Sequence, residues 1–181
     1  MNYKSTIFDY GDFSIIFDEY NRDYLKTKIA KLCEEEILVR LTKGIYYLKD
    51  RGYDSFELPT KLYSPSYISF HSALYHHSMI FQLPNRISFA YKRNIEKTIG
   101  KDIIYSKRLK EEILYNLSGI ITTGAFSIAD KERAFLDTLY IYGDFYFDNL
   151  NELDKNKVIE MLEIYKNKSF SKKIELYLKK I

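Results

Sequence analysis

From Asn21 onward the apolar positions recur with the period of a helix. Turned at about 100° per residue, Leu25, Ile29, Leu32 and Glu36 fall on one side with Cys33 at its margin. Asp23, Lys26, Thr27, Ala30, Lys31 and Glu34 fall on the other. Three apolar side chains can hold such a helix on a core while a polar stripe faces out. Asn21 is the expected N-cap, because its side-chain oxygen can accept from the free amides of the first turn. The period then changes. Ile37, Val39 and Leu41 alternate with Leu38, Arg40 and Thr42, and beyond Lys43-Gly44 the run Ile45 to Leu48 is β-branched and aromatic. This pattern predicts a hairpin around a glycine-containing turn.

The later elements are read the same way. A helix is expected within 66–77, with Ser69 as a possible cap, ending before Leu83-Pro84. Arg86 to Lys92 and Asp102 to Ser106 read as strands, and Lys107 to Asn116 fits either a strand or a helix. Extended segments at Ile120–Thr123 and Ala125–Ile128 flank Gly124. Asp130 caps a helix through Tyr142, with Ala134, Phe135 or Leu136, Leu139 and Tyr140 on its buried side. Asp154 opens another helix through Tyr165, burying Val158, Met161, Leu162 and Tyr165. A last one, from Ser169 or Ser171, places Ile174, Leu178 and Ile181 on one face. The fold class is α+β.

A polar-faced helix running into a hairpin is the arrangement of a winged helix-turn-helix, with the hairpin as the wing, and it points to double-stranded DNA. Thr27 and Lys31 are placed to read base edges, and Ala30 allows close approach or contact with a thymine methyl. Arg22, Lys26, Lys28, Arg40 and Lys43 are the candidate phosphate contacts. The acidic run Glu34–Glu36 sets like charge near DNA, so the N-terminal half of the helix is the part to insert. The same pattern also describes the solvated face of any small α+β domain.

Composition narrows the alternatives. A chain of 181 residues suits one ordinary domain or two small ones, and the Gly- and Pro-containing stretch 50–65 offers a boundary. The net charge of +3 permits nucleic-acid binding without requiring it. One cysteine, Cys33, excludes an intrachain disulfide and suits a reducing cytoplasm. No apolar run approaches a membrane span, and the start MNYKSTIFDYGDF has no hydrophobic signal core. The 18 tyrosines and 12 phenylalanines are spread through every segment and read as compositional bias.

Catalytic signatures are sparse. His71, His76 and His77 cluster in sequence, but on one helix the last two lie about 140° and 240° from the first and do not converge on a metal. Asp144 with Asp148, and Glu132 with Asp137, are acidic pairs without a nuclease spacing around them. Asp130-Lys131-Glu132-Arg133 reads as the charged, solvated first turn of a helix, with Glu132 favourable to its dipole. No phosphate-binding glycine loop or nucleophile elbow occurs. No cofactor is expected. Lys166, Lys168, Lys172, Lys173, Lys179 and Lys180 form a second basic region that either solubilises the last helices, extends a DNA footprint or meets an acidic partner.

Three blocks then carry a resemblance. Ile7 to Leu48, with IFDYGDF before the helix and KLCEEEILVRLTKGIYYL after it, resembles the N-terminal winged helix of AbiEi-type antitoxins. YISFHSALYHHSMI at Tyr67–Ile80 resembles the segment that opens that family's C-terminal region. FSIADKERAFLDTLY at Phe126–Tyr140 resembles its Glu-basic-Ala, Leu-Asp helix. The family often has Gly where this chain has Glu35 or Glu36. The resemblance implies a winged helix over 1–50, a linker over 51–65 and an antitoxin-like α+β domain over 66–181. It further implies a cytoplasmic, non-enzymatic regulator that represses its own operon at inverted repeats and counters a nucleotidyltransferase-like toxin. Two other classes stay open: a nuclease-like enzyme guided by the winged helix, and a protein-interaction module that binds no nucleic acid.

Overall fold

The computed structural model describes residues 5–179. Ile181 and Lys180, assigned above to the last helical face and the basic region, lie outside them. The chain is α+β, with two sheets among the described residues.

The first sheet forms around β1 (Ile7–Phe8), β2 (Leu38–Thr42) and β3 (Ile45–Leu48), in the order β1-β3-β2, all antiparallel. The expected hairpin is present, and Gly44 turns it with φ +77, a conformation L side chains rarely adopt. Between β1 and β2 run α1 (Tyr10–Ile16) and α2 (Arg22–Glu34). Asp9 and Asp12 close a capping box at the start of α1, each side chain accepting from the other's amide. Asn21 caps α2 as its sequence predicts, accepting from the amides of Asp23 and Tyr24. Leu25 and Ile29 of α2 are buried with Phe8, Phe13, Leu38 and Tyr46, while Leu32 and Cys33 are half-buried against the same cluster. Glu36 falls past the end of the helix, in a left-handed conformation, and so leaves the apolar side on which its periodicity put it.

Residues 51–65 carry α3 (Glu57–Leu62), whose Leu58 is completely buried. The second sheet follows, from β4 (Tyr67–Ile68), β5 (Ile87–Tyr91), β6 (Ile95–Ile99), β7 (Asp102–Arg108), β8 (Ile120–Thr122) and β9 (Ser127–Ala129). Its order is β6-β7-β5-β4-β9-β8, with β5–β7 and β4–β9 parallel and the other pairs antiparallel. The stretch 107–116 takes both forms left open for it, the end of β7 and then α5 (Glu111–Leu114). Helix α4 (Phe70–His76) lies against β5 and α6 (Lys131–Tyr142). Next come α7 (Lys155–Met161), a 3-10 turn at Leu162–Tyr165 and α8 (Lys168–Leu178), with Phe170, Ile174 and Leu178 buried. The larger core also takes in Ile7 and Ile45 from the first sheet.

The solvated reading of the Asp130–Arg133 turn is overturned. Arg133 and Asp137 are both 0% exposed, and Glu132 is buried beside them. Asp137 accepts from Arg133 Nε at 3.1 Å, Tyr165 Oη at 2.7 Å, Ser69 Oγ at 2.9 Å and Tyr67 Oη at 3.0 Å. The remaining guanidinium hydrogens go to Tyr67 Oη and to the carbonyls of Ile113, Asn116 and Ser118. A spacing of four along α6 turns Arg133 and Asp137 to one face, and that face meets the sheet. Ser69 occupies the N-cap position of α4, but its hydroxyl serves Asp137 and caps nothing.

Burial also shapes the response to pH. His77 donates from Nε2 to the Ala129 carbonyl at 2.8 Å, which fixes the hydrogen on that nitrogen in the neutral ring. Burial disfavours its charged form and lowers its pKa from the ordinary 6.5, although the hydrogen bond opposes this. The unfolded chain therefore binds more protons just below pH 6.5. This contribution to stability is complete above that pH and is lost as pH falls through the lower folded-state value. Thermal melts of the wild type and His77→Gln between pH 7.5 and pH 5 should show a smaller acid-side loss in the variant. Equal losses would remove His77 from the effect.

Candidate nucleic-acid interface

The outer face of α2 is open. Arg22, Lys26, Thr27, Ala30 and Lys31 are exposed, as are Arg40 on β2 and Lys43 in the turn after it. Burial of Leu25 and Ile29 fixes this rotation of the helix, so the inward pair dictates which side chains face out. The turn between α1 and α2, residues 17–21, is short, and Phe17 stacks on Phe13 within the core at 5.8 Å. Phe13 of α1 shares one buried cluster with Leu25 and Ile29 of α2, which holds the two helices against each other ahead of the hairpin.

The candidate residues differ in how they are engaged. Lys26 Nζ lies 2.8 Å from Asp23, an exposed pair whose lysine holds the Asp23 carboxyl below its usual range. Lys31 lies 3.8 Å from Glu35, and both are solvated. Such exposed pairs contribute little to stability and exchange readily for phosphate. Thr27 Oγ1 donates to the Asp23 carbonyl at 3.1 Å, which leaves the hydroxyl oxygen free to accept and the methyl outward. Lys28 is different. Its ammonium sits 3.9 Å from the Phe17 ring centroid, drawn back over the α1–α2 turn by a cation–π contact. Arg22, Arg40 and Lys43 form no ion pair with a carboxylate among the described residues.

At the far end of α2 the acidic run is partly neutralised. Glu36 pairs with Lys49 at 2.6 Å, which lowers the Glu36 pKa. The basic side chains therefore gather over the first three turns of α2 and the hairpin tip. Burial pushes the Cys33 thiol above its ordinary value, which disfavours the reactive thiolate.

The acidic pairs weighed for catalysis are committed elsewhere. Glu132 accepts from the Asp154 amide and Lys157, and although burial opposes ionisation, these partners lower its pKa. Asp144 pairs with Lys173 at 2.8 Å, and Asp148 accepts from the Phe81 amide at 2.8 Å. Among the described residues no three His, Cys, Asp or Glu side chains group so as to hold a metal ion. No described helix is long and apolar enough to cross a membrane.

Sequence reasoning missed the Phe17–Lys28 contact and the Glu36–Lys49 pair. Each joins residues more than ten positions apart, beyond the reach of helical periodicity. No protein-family model matches the chain, and no curated protein matches it.

Proposed function

We propose that residues 1–50 act as a winged helix-turn-helix and that the chain is a DNA-binding transcriptional regulator, similar to the antitoxin of a type IV toxin-antitoxin system. The observation that supports this most is the outward face of α2, where Lys26, Thr27, Ala30 and Lys31 stand exposed on a helix seated by Leu25 and Ile29, next to a hairpin bearing Arg40 and Lys43. In this reading α2 enters the major groove by its N-terminal half. Lys31 and Thr27 meet base edges, Ala30 faces a thymine methyl, and Arg22, Lys26, Arg40 and Lys43 meet phosphates. Lys28 reaches a phosphate only by leaving Phe17. The regulator works in the cytoplasm without catalysis, at inverted repeats in its own promoter. Residues 66–181 counter a nucleotidyltransferase-like toxin and 51–65 connect the two parts.

The test is fluorescence anisotropy on a labelled fragment of the chain's own promoter across a range of salt. Lys31→Ala should weaken binding by about 1–3 kcal/mol, the worth of a good base contact. Lys26→Ala should lower the slope of log affinity against log salt by about 0.9, one phosphate's share. Unchanged affinity in Lys31→Ala would take α2 out of the interface. A shift that is absent at every salt concentration would favour a protein-interaction module, and metal-dependent cleavage of the fragment would favour a nuclease.

A further inference from the structure

Away from α2 and the hairpin, a cleft of about 700 Å³ opens between α4, the loop 80–86 and the segment 145–148, a size suited to a small ligand. Its lining is mixed in chemistry. Arg86 lines it, its guanidinium 5.1 Å from the Tyr105 ring and giving one N–H to Glu96 at 3.1 Å. The other N–H groups of that planar fork keep their capacity for an anion. Beside it, His71 is held edge-on by Tyr142 and Phe145 at 5.3 and 5.2 Å. The Tyr105 hydroxyl lies 3.2 Å from His71 Nδ1. In the tautomer whose Nδ1 accepts from Tyr105, Nε2 carries the hydrogen and is a donor. Burial, with the charges of Arg86 and Lys107, lowers the pKa of the ring from its ordinary value.

Asp148, also in the lining, uses one carboxylate oxygen to fix the Phe81 amide, and its second oxygen can accept from an amino group. Phe81 and Tyr146 border the cleft 66% and 81% exposed. Large aromatic side chains held out in water at the border of a cleft offer flat faces for a planar ring.

We propose that this cleft binds a mononucleotide, with its phosphates on Arg86 and His71, its base against Phe81 or Tyr146, and an exocyclic amine directed to Asp148. An apolar peptide would not use the Arg86 guanidinium, and inorganic phosphate would leave the aromatic pair unused. The site does not rest on the DNA-binding reading, because neither α2 nor the hairpin lines it.

Calorimetric titration of the full chain with ATP, GTP, CTP and UTP tests it. At least one should bind saturably below millimolar concentration, and its unphosphorylated nucleoside should bind at least about tenfold more weakly. Arg86→Gln should weaken binding by about tenfold, as should the double change Phe81→Ala with Tyr146→Ala. All three side chains are exposed at the cleft, so unchanged melting temperatures are expected. Amide shifts on adding nucleotide to the unmodified chain should map to His71, Phe81 and Arg86 without any variant. Saturation by none of the four, affinity unchanged in Arg86→Gln, shifts confined to other residues, or preference for single-stranded oligonucleotide that free nucleotide does not displace would each overturn the assignment.

Discussion

Asp137→Ala is expected to destabilise the protein by about 3–5 kcal/mol, the cost of removing one partner from a buried ion pair. Asp137 is completely enclosed and accepts four hydrogen bonds. Alanine leaves Arg133 charged, buried and deprived of its carboxylate, and deprives Ser69 and Tyr165 of their acceptor. The guanidinium cannot relieve this by losing its proton, because arginine holds its charge throughout the pH range in which proteins fold. In the intact protein burial favours the neutral form, yet Asp137 and the two tyrosines hold the pKa of Arg133 above its ordinary value. Urea unfolding monitored by circular dichroism gives the measurement. The double variant Arg133→Met with Asp137→Leu should cost less than the sum of the single changes, because it removes both charges together. A loss below about 1 kcal/mol for Asp137→Ala would place the pair outside the forces holding the core.

Glu57→Ala should cost about 2–4 kcal/mol and loosen β1. The Glu57 carboxylate is buried and accepts from the amides of Thr6 and Ile7 and from the hydroxyls of Ser5 and Thr6. Its removal strands the buried Ile7 amide and the half-buried Thr6 amide, and a fully stranded buried donor costs about 1–3 kcal/mol. Because Ile7 and Phe8 pair with Tyr47 and Tyr46 of β3, the loss should spread into the hairpin. Amide exchange at Thr6, Ile7 and Tyr47 should quicken more than at β5. Uniform quickening would assign Glu57 a role in global stability alone.

What the sequence made legible follows from where each signal lies. Asn21 and Asp130 announced their helices because a cap and a first turn are neighbours in sequence. Lys43-Gly44 announced the hairpin for the same reason. Strand β6 escaped notice because Glu96, Lys97 and Thr98 face solvent at the sheet's edge, which removes the apolar alternation. Helix α1 is only seven residues long, too short for periodicity to declare, although its capping box could have been read from Asp9 and Asp12. The Asp130–Arg133 run misled because four consecutive charges look solvated, while the partners that engage them come from Lys157, Tyr67, Asp137 and the carbonyls of Ile113, Asn116 and Ser118. The outward residues of α2 were legible from the period. The tethering of Lys28 to Phe17 and the nucleotide cleft were not, since both depend on contacts between distant segments.

The larger sheet is not equally knit along its width. Strands β6, β7, β5 and β4 join β9 and β8 at the Ile68–Ile128 register, between residues sixty positions apart. Closing so long a loop is entropically costly for so short a ladder. Yet Tyr67 and Ser69, on either side of Ile68, are both anchored through Asp137 to α6, which follows β9 directly. The buried carboxylate thus works as a clasp across a seam, and slow native-state motions should divide the domain along that line, with β8 and β9 opening together with α6 as one cooperative unit.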